Sequence, residues 1–510
     1  MTSGIGGAAV APQAPAVLRE LKEPSPYYWR TLMTLIIGSF IGIYHVVSLN
    51  VALPGFMAIF GAELSTVQWL VTGFTLATGI IAPLSGYFGD KWSNKTLFLS
   101  SLAGLTISSV LCALAWNIYA LIAFRILQGI CCGLIQPVSL TMLYQTVPAE
   151  KRSLAVSLWS ASGILGPALA PTISGWLQGY NWHWMFVVML PLSLATMWYG
   201  WRHLPVGGQA SRRRADWTGI TLAVIASLAL LLLFGNVHTW GWESPLAIGF
   251  LCTGLAAAAG FIRHELRSTE PLLQLRLFRL RMFTASLGAS VVLIIGLYSG
   301  IYFIPLYLQH IHAMTSLEVG LLLLPPAMCL GVATLLSGKL YARSGPVPLV
   351  VAGAVLLAWA SWQFSRLTPD TPDGYVMLWM SVRYVGVGLS MTPAMNAGMG
   401  AVSHELAGDA SALINWLRQV FGALGLGLFT SLFYARFAAH ERELADSANE
   451  WSAERLHETA YTMGINDAFL VAGWFGVAAI PLALLLGKRA VWSRRVSAAS
   501  TSNEGGRSEA

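Results

Sequence analysis

Fourteen apolar runs, separated by short polar stretches, decide what this chain can fold into. They cover about 31–55, 67–88, 96–115, 118–146, 153–178, 184–203, 217–235, 245–263, 282–308, 317–341, 346–365, 374–401, 408–435 and 466–487. Each is long enough to cross about 30 Å of hydrocarbon as a helix rising 1.5 Å per residue. A backbone inside lipid must satisfy its own hydrogen bonds, so runs of this length dictate helices. The expected fold is all-α and integral to a membrane, with fourteen transmembrane helices. Composition closes the other routes. Only 10% of the residues are charged and 55% are hydrophobic, whereas a soluble chain carries roughly a quarter charged. Disorder is excluded by the same apolar content. Residues 1–28 are rich in Ala, Pro and Gly without an apolar core, and read as a tail, not as a signal peptide. Cys112, Cys131, Cys132, Cys252 and Cys329 all lie in apolar runs, without a CxxC pair or a His at ligand spacing. They read as small packing residues, and neither a metal nor a cofactor is expected.

Basic residues orient the chain. With the N-terminus inside, 23 of the 30 Lys and Arg fall in cytoplasmic segments and 4 (Arg366, Arg436, Arg442 and Arg455) fall outside. The other three, Arg125, Arg383 and Arg418, lie within or at the ends of spans. Both termini are therefore expected in the cytoplasm. The run Arg212–Arg214 reads as a topology anchor and not as a nucleic-acid site. The longest outside segment, 436–465, is charged and helix-prone, and is expected to form an extramembrane hairpin or short helix.

Two features recur in order. Gly86-Tyr-Phe-Gly-Asp90-Lys91-Trp-Ser93-Asn-Lys95 follows the second run, and Gly338-Lys-Leu-Tyr-Ala-Arg343-Ser-Gly345 follows the tenth. An intramembrane Arg comes next in each case: Arg125, leading to Gly129, Gly133 and Pro137, and Arg383, leading to Gly386, Gly388 and Pro393. The offsets are 252 residues (86 to 338) and 258 (125 to 383). Two helical halves around an insertion is a secondary-transporter layout. The expected division is a tail (1–28), an N-terminal six-helix bundle (29–205), a two-helix insertion (206–270), a C-terminal six-helix bundle (271–490) and a second tail (491–510).

At these residues the chain resembles the major facilitator superfamily, in particular its fourteen-span drug:proton antiporters of the EmrB/QacA type. SGYFGDKWSNK is similar to the family's GxLaDrxGrr loop at Gly86, Asp90, Lys91 and Lys95, departing at Ser93 where the family usually has Gly. RILQGICCGLIQP is similar to the fourth-span motif through Arg125, Gln128, Gly129, Gly133 and Pro137. SGILGPALAPTISGW is similar to the fifth-span antiporter motif through Gly163, Gly166, Pro167, Pro171 and Gly175. NVALP, from Asn50 to Pro54, matches the end of the first-span motif.

The resemblance implies a major facilitator fold of two six-helix bundles plus two central helices, exporting small amphiphilic molecules against protons across a bacterial inner membrane. It also implies that the Gly86 and Gly338 loops, with Asp90, Lys91, Lys95 and Arg343, act as a conformational gate. Relatives of this type in Gram-negative bacteria often work with a periplasmic adaptor protein and an outer-membrane channel, for which segment 436–465 is the candidate contact. A charged short loop is ordinarily just solvated, and a Gly/Pro run ordinarily just permits close helix packing; both motifs carry that plainer reading too.

None of the 23 acids lies in the middle of a span. The resembled group usually has Asp five residues before the Asn of its first-span motif; here that position is His45. His45, Arg125 and Arg383 all sit roughly 12–14 Å below the outer boundary by residue count, and the resemblance implies that they face one cavity. A lone His on an apolar face is ordinarily structural, but ionisable groups inside the membrane are costly and mark functional paths. The candidate substrate and proton pathway is His45, Asn50, Arg125, Gln128 and Arg383, with Glu318 and Asp467 as alternative proton carriers. A cavity without mid-span acids suits neutral or anionic amphiphiles better than cations. Transport of one endogenous metabolite, in either direction, is the alternative. An integral-membrane enzyme or an ATP-driven pump lacks support, because HExxH, a nucleophile elbow and a Walker loop are all absent from the sequence.

Overall fold

Apolar runs that must pair their own backbone become helices, and the computed structural model is all-helical over the residues it describes: 28–49, 52–62, 64–67, 69–205, 216–268, 271–447 and 452–487. The long helices are α1 (Tyr28–Val47), α2 (Trp69–Trp92, with a 3-10 turn at Ala82–Leu84), α3 (Asn94–Ala113), α4 (Ile118–Thr146), α5 (Ala149–Tyr180), α6 (Trp184–His203) and α7 (Trp217–Trp240). They continue as α8 (Pro245–Arg267), α9 (Arg281–His310), α10 (Ser316–Ser344), α11 (Pro346–Phe364), α12 (Asp373–Gly400), α13 (Ala407–Ser447) and α14 (Ala453–Leu485).

Among the described residues, twelve of these helices are long and apolar enough to cross a membrane. The remaining two are α5 and α12, of 32 and 28 residues. Both are rich in Ser and Gly, and α12 carries Arg383. The reason is their position. Helix α5 packs on α1 and α10, and α12 packs on α10 and α11. Small residues let backbones approach closely where helix meets helix instead of lipid. At the α11–α12 crossing, a Cβ on Gly353 would lie 2.3 Å from the Gly386 carbonyl oxygen.

Three boundaries differ from the sequence reading. The first run does not continue as one helix to residue 55: α1 ends at Val47, and a separate helix, Leu53–Phe60, starts with Pro54 in its first turn, where the missing N–H costs nothing. Helix α13 runs twelve residues past 435 to Ser447, and α14 starts thirteen residues before 466 at Ala453. The charged segment 436–465 is thus mostly two helical extensions. His440 Nε2 lies 2.9 Å from Asp467, and Phe437 packs edge-on against Tyr461.

Among the described residues, the halves share one core at one end only. Around Gly86, Tyr87, Leu143, Tyr144 and Val156 pack in one cluster with Phe283, Leu287, Met399 and Leu413. At the opposite end, among the described residues, Leu49, Phe56, Leu70, Leu177 and Phe186 form a core of the first half alone. Phe303, Tyr307, Phe364 and Phe433 form one of the second half alone. The molecule is joined at the Gly86 end. Beside this joint, α7 packs on α8, on α2 of the first half and on α13 of the second, with the Trp416 indole donating to Ser227 at 2.7 Å.

Candidate functional site

Arg125 comes from the third turn of α4 and is fully buried. A cation there must exchange water for fixed acceptors, and three are supplied. Its Nε donates to the Leu70 carbonyl at 3.1 Å, one terminal nitrogen to Gln128 Oε1 at 2.5 Å, and the other to the His45 carbonyl at 3.1 Å. The guanidinium also lies 4.1 Å from the centre of the Phe74 ring, a favourable cation–π distance. Gln128 Nε2 donates to Ser109 Oγ at 2.7 Å, and the His45 ring lies 3.5 Å from both Gln128 and Ser109. His45, Arg125 and Gln128 are therefore brought together, with Ser109 of α3 as a fourth member.

Arg383 of α12 repeats this design in the other half. It is likewise fully buried. It donates to the Gly296 carbonyl, to Ser299 Oγ at 2.8 Å and to Ser361 Oγ at 2.5 Å. Each arginine thus reaches a carbonyl on the first helix of its half (His45 and Gly296, 251 residues apart). Each also reaches a serine on the third, Ser109 through Gln128 and Ser361 directly, 252 apart. Ser109 and Ser361 escaped motif reasoning, but the 252-residue offset pairs them. The longer link between α11 and α12, eight residues (365–372) against four (114–117) between α3 and α4, accounts for most of the drift to 258 at the arginines. The two arginines do not face one cavity: each is enclosed in its own half. The titratable member of the network, His45, is confined to the first.

The loop glycines lie where the halves cross. A Cβ on Gly338 would stand 2.1 Å from Ser157 Oγ, 2.7 Å from Ser157 Cβ and 3.0 Å from the Ser153 carbonyl, all on α5 of the other half. The Gly338 carbonyl accepts from Ser153 Oγ at 2.9 Å. On the first half, a Cβ on Gly86 would stand 2.9 Å from Asp409 Oδ1 of α13. Tyr144 completes the joint by donating to Asn396 Oδ1 at 2.7 Å. Lys95 ties the loop to α6 through the carbonyls of Trp201 and Leu204, both at 2.8 Å. Asp90 is half-buried in the last turns of α2, and Lys91 and Arg343 are exposed.

Ser93 stands at φ 69° and ψ 146°, and Gly345, 252 residues on, at φ 76° and ψ −176°. Both residues precede a helix. That backbone region is essentially reserved for glycine, and another residue held there is strained by about 1–3 kcal/mol. Ser93 recovers part of this by capping α3, accepting from the Thr96 N–H at 3.3 Å. A Ser-to-Gly change at a cap loses only a few tenths of a kcal/mol. Ser93→Gly is therefore expected to stabilise the protein by about 1 kcal/mol, raising Tm in detergent by about 1–2 °C for a chain of this size. A fall in Tm would mean that the cap outweighs the strain.

The remaining candidates are dispersed. Glu318 caps α10: the Thr315 N–H and hydroxyl donate to its carboxylate at 2.8 and 2.9 Å. Asp467 is paired with Arg436 and His440 between α13 and α14. Both lie in the second half, in clusters separate from Arg383. Of the α5 motif, Gly166 abuts Ile43 of α1, where a Cβ would stand 2.5 Å from Cγ2, and a Cβ on Gly163 would stand 3.7 Å from the same side chain. Helix α5 runs unbroken through Pro167, Pro171 and Gly175, whose surroundings lie outside the described residues, as does Asn50.

Comparison with known proteins follows this geometry. The family described as the Major Facilitator Superfamily matches residues 35–426. The tetracenomycin C resistance and export protein of Streptomyces glaucescens is 31% identical over 415 residues, 80% of this chain and 76% of that protein. The fatty acid resistance protein FarB of Neisseria gonorrhoeae is 29% identical over 446 residues, 86% and 87% of the two chains. The crystal structure of the human organic anion transporter MFSD10 superposes with a TM-score of 0.61 at 16% identity, over 89% of this chain and 100% of that one, a likeness of fold alone. The chain belongs to the Major Facilitator Superfamily and is a multi-pass membrane transporter of small molecules, not an enzyme.

Proposed function

We propose that this transporter is a proton-coupled exporter of small amphiphilic molecules, neutral or anionic in preference to cationic, in a bacterial inner membrane. In this reading α5 and α12 cross the bilayer with the other twelve helices, as fourteen spans in two six-helix bundles with α7 and α8 inserted between them. Both termini are cytoplasmic. The observation that carries it is the one-ended joint. With the 23-to-4 distribution of basic residues setting the cytoplasmic side, the closed Gly86–Gly338 end faces inward. The halves are then parted toward the outside, as an exporter stands when it releases cargo. Relatives whose names carry resistance to tetracenomycin C and to fatty acids support export of amphiphiles, and the absence of mid-span carboxylates supports the charge preference. The helical extensions over 436–465 are the candidate contact for a periplasmic adaptor and, through it, an outer-membrane channel.

Inverted vesicles under an imposed pH gradient test this reading. An amphiphilic sulfonate or neutral compound is expected to be taken up in a gradient-dependent manner, and faster than a permanently cationic dye. Uptake unchanged by a protonophore would remove proton coupling. A cationic dye outpacing the others would remove the charge preference.

A further inference from the structure

Arg418 lies eleven residues into α13, about 16 Å from its start, which is mid-bilayer depth. Unlike Arg125 and Arg383 it is only half-buried. Among the described residues it makes no hydrogen bond or ion pair; the group within its electrostatic reach is Tyr298 of α9. Ser411, Asn415, Arg418 and Gly422 recur at three- and four-residue intervals, and therefore share one face of α13. The two ends of that stripe show what the face looks at. Ser411 donates to the Pro137 carbonyl of α4, in the other half, at 2.7 Å. Gly422 meets Tyr298, whose hydroxyl lies 3.2 Å from where a Gly422 Cβ would be. Arg418 thus stands between the two halves just above their joint, on the side where their cores part. The opposite face of α13 is occupied: Trp416 donates to Ser227 and Gly427 lies against the Phe234 carbonyl, both on α7.

No acid is available to neutralise it from these helices. Asp409, the acid before it on α13, is nine residues away, about 13 Å along the axis, and is buried beside Gly86; the next acid after it is Glu441. Helices α1, α4, α7 and α9 contain no Asp or Glu, and α2, α5, α10 and α12 carry them only near their ends. A mid-membrane cation held at the seam without a counter-charge selects for an anion. The Tyr298 hydroxyl, also without a hydrogen-bond partner among the described residues, is a second donor beside it.

We propose that Arg418 is the residue that holds the anionic group of an amphiphilic cargo, a carboxylate or sulfonate, with the Tyr298 hydroxyl as second donor. The proposal rests on the exporter reading and names its substrate class and subsite. An anionic lipid headgroup offers the same chemistry, so the test separates the two.

Binding is measured to purified protein in phosphatidylcholine nanodiscs, with a radiolabelled amphiphilic naphthalene sulfonate and its neutral sulfonamide analogue. Arg418→Gln is expected to weaken sulfonate binding roughly tenfold to a hundredfold, the span of a lost charge-assisted hydrogen bond, and to leave the sulfonamide unchanged. Arg418→Lys is expected to restore most of the affinity, and Tyr298→Phe to lose a few-fold. Equal sulfonate binding by wild type and Arg418→Gln overturns the proposal, as does equal loss of both probes in a variant that keeps the wild-type Tm, because Arg418 then does not read the charge. If phosphatidylglycerol abolishes sulfonate binding to wild type, the site belongs to lipid and the cargo assignment falls. Wild type that binds neither probe refutes the exporter reading instead, and because no gradient is used, a failure of coupling leaves these results untouched.

Discussion

Gly338→Ala is expected to cut transport by tenfold or more and to open the end of the molecule that is now closed. The added methyl has nowhere to go. It would meet the Cβ of Ser157 at 2.7 Å and the carbonyl of Ser153 at 3.0 Å, atoms fixed to the backbone of α5 that cannot rotate aside. Helices α5 and α10 must then separate, and the Ser153–Gly338 hydrogen bond at this crossing is lost with them. Overpacking of this kind costs about 1–3 kcal/mol, and each 1.4 kcal/mol is about a tenfold shift in the ratio of closed to open states. Gly86→Ala should act in the same direction but more weakly, because its nearest contact, Asp409 Oδ1 at 2.9 Å, is the end of a side chain. Gly331, on the same helix as Gly338, has nothing within 4 Å of its would-be Cβ, so Gly331→Ala is the control that should leave transport intact. Spin labels on Trp92 and Ala342, exposed residues of opposite halves, would report the distance across this end. Wild-type distances and transport rates in Gly338→Ala would show that the crossing is not the gate.

The sequence makes some of this architecture plain and hides the rest for identifiable reasons. Apolar length is enough to find the helices, because lipid leaves the backbone no other solution. It does not find their ends where other forces act. Helices α13 and α14 overrun their apolar cores because pairs such as His440–Asp467 and Phe437–Tyr461 carry the helices onward. Nor does apolarity rate α5 and α12 well, since helix-facing helices trade large side chains for Gly and Ser. Residue spacing gave the depth of Arg125 and Arg383 but not their direction. Depth is one coordinate, and the side chains point into their own bundles, toward carbonyls that no motif names. The loop glycines were legible through their repeat; Ser157 and Asp409, which they meet, are 252 residues apart as well, but they differ in residue type, and only the packing shows that each faces the glycine of the other half. Arg418 could be counted among the span residues, but its exposure at the seam is a fact of packing.

His45→Ala is expected to abolish pH-driven transport while leaving cargo affinity within about threefold of wild type. The geometry separates the backbone of this residue from its ring. Arg125 is held by the His45 backbone carbonyl, which alanine retains, so the buried arginine keeps its acceptors and the bundle its central tie. What the substitution removes is the ring, whose contacts to Gln128 and Ser109, at 3.5 Å each, are long for hydrogen bonds. A proton arriving on that ring changes the network in two ways. It takes away the acceptor nitrogen facing Gln128, and it sets a second positive charge beside Arg125 where little water can screen it. Both are relieved by moving α1 against α4, and α1 is the helix on which α5, the inter-half helix, packs through Gly166. In the proposed mechanism, protonation of His45 would be passed through this contact to the α5–α10 crossing at Gly338. His45→Gln, which preserves volume and a polar tip but does not titrate, should be as uncoupled as the alanine variant and no less stable than wild type by more than about 1–2 kcal/mol. The competing carriers make the opposite forecast. If Asp467 or Glu318 conducts the proton, His45→Ala stays coupled and Asp467→Asn or Glu318→Gln does not. Those carboxylates are already engaged, one with Arg436 and His440 and the other in the cap of α10, at the ends of α13 and α10 remote from Asp409 and Gly338, where the halves join. Counterflow driven by cargo alone, measured beside proton-driven uptake in the same proteoliposomes, distinguishes the cases: His45→Ala should retain the first and lose the second.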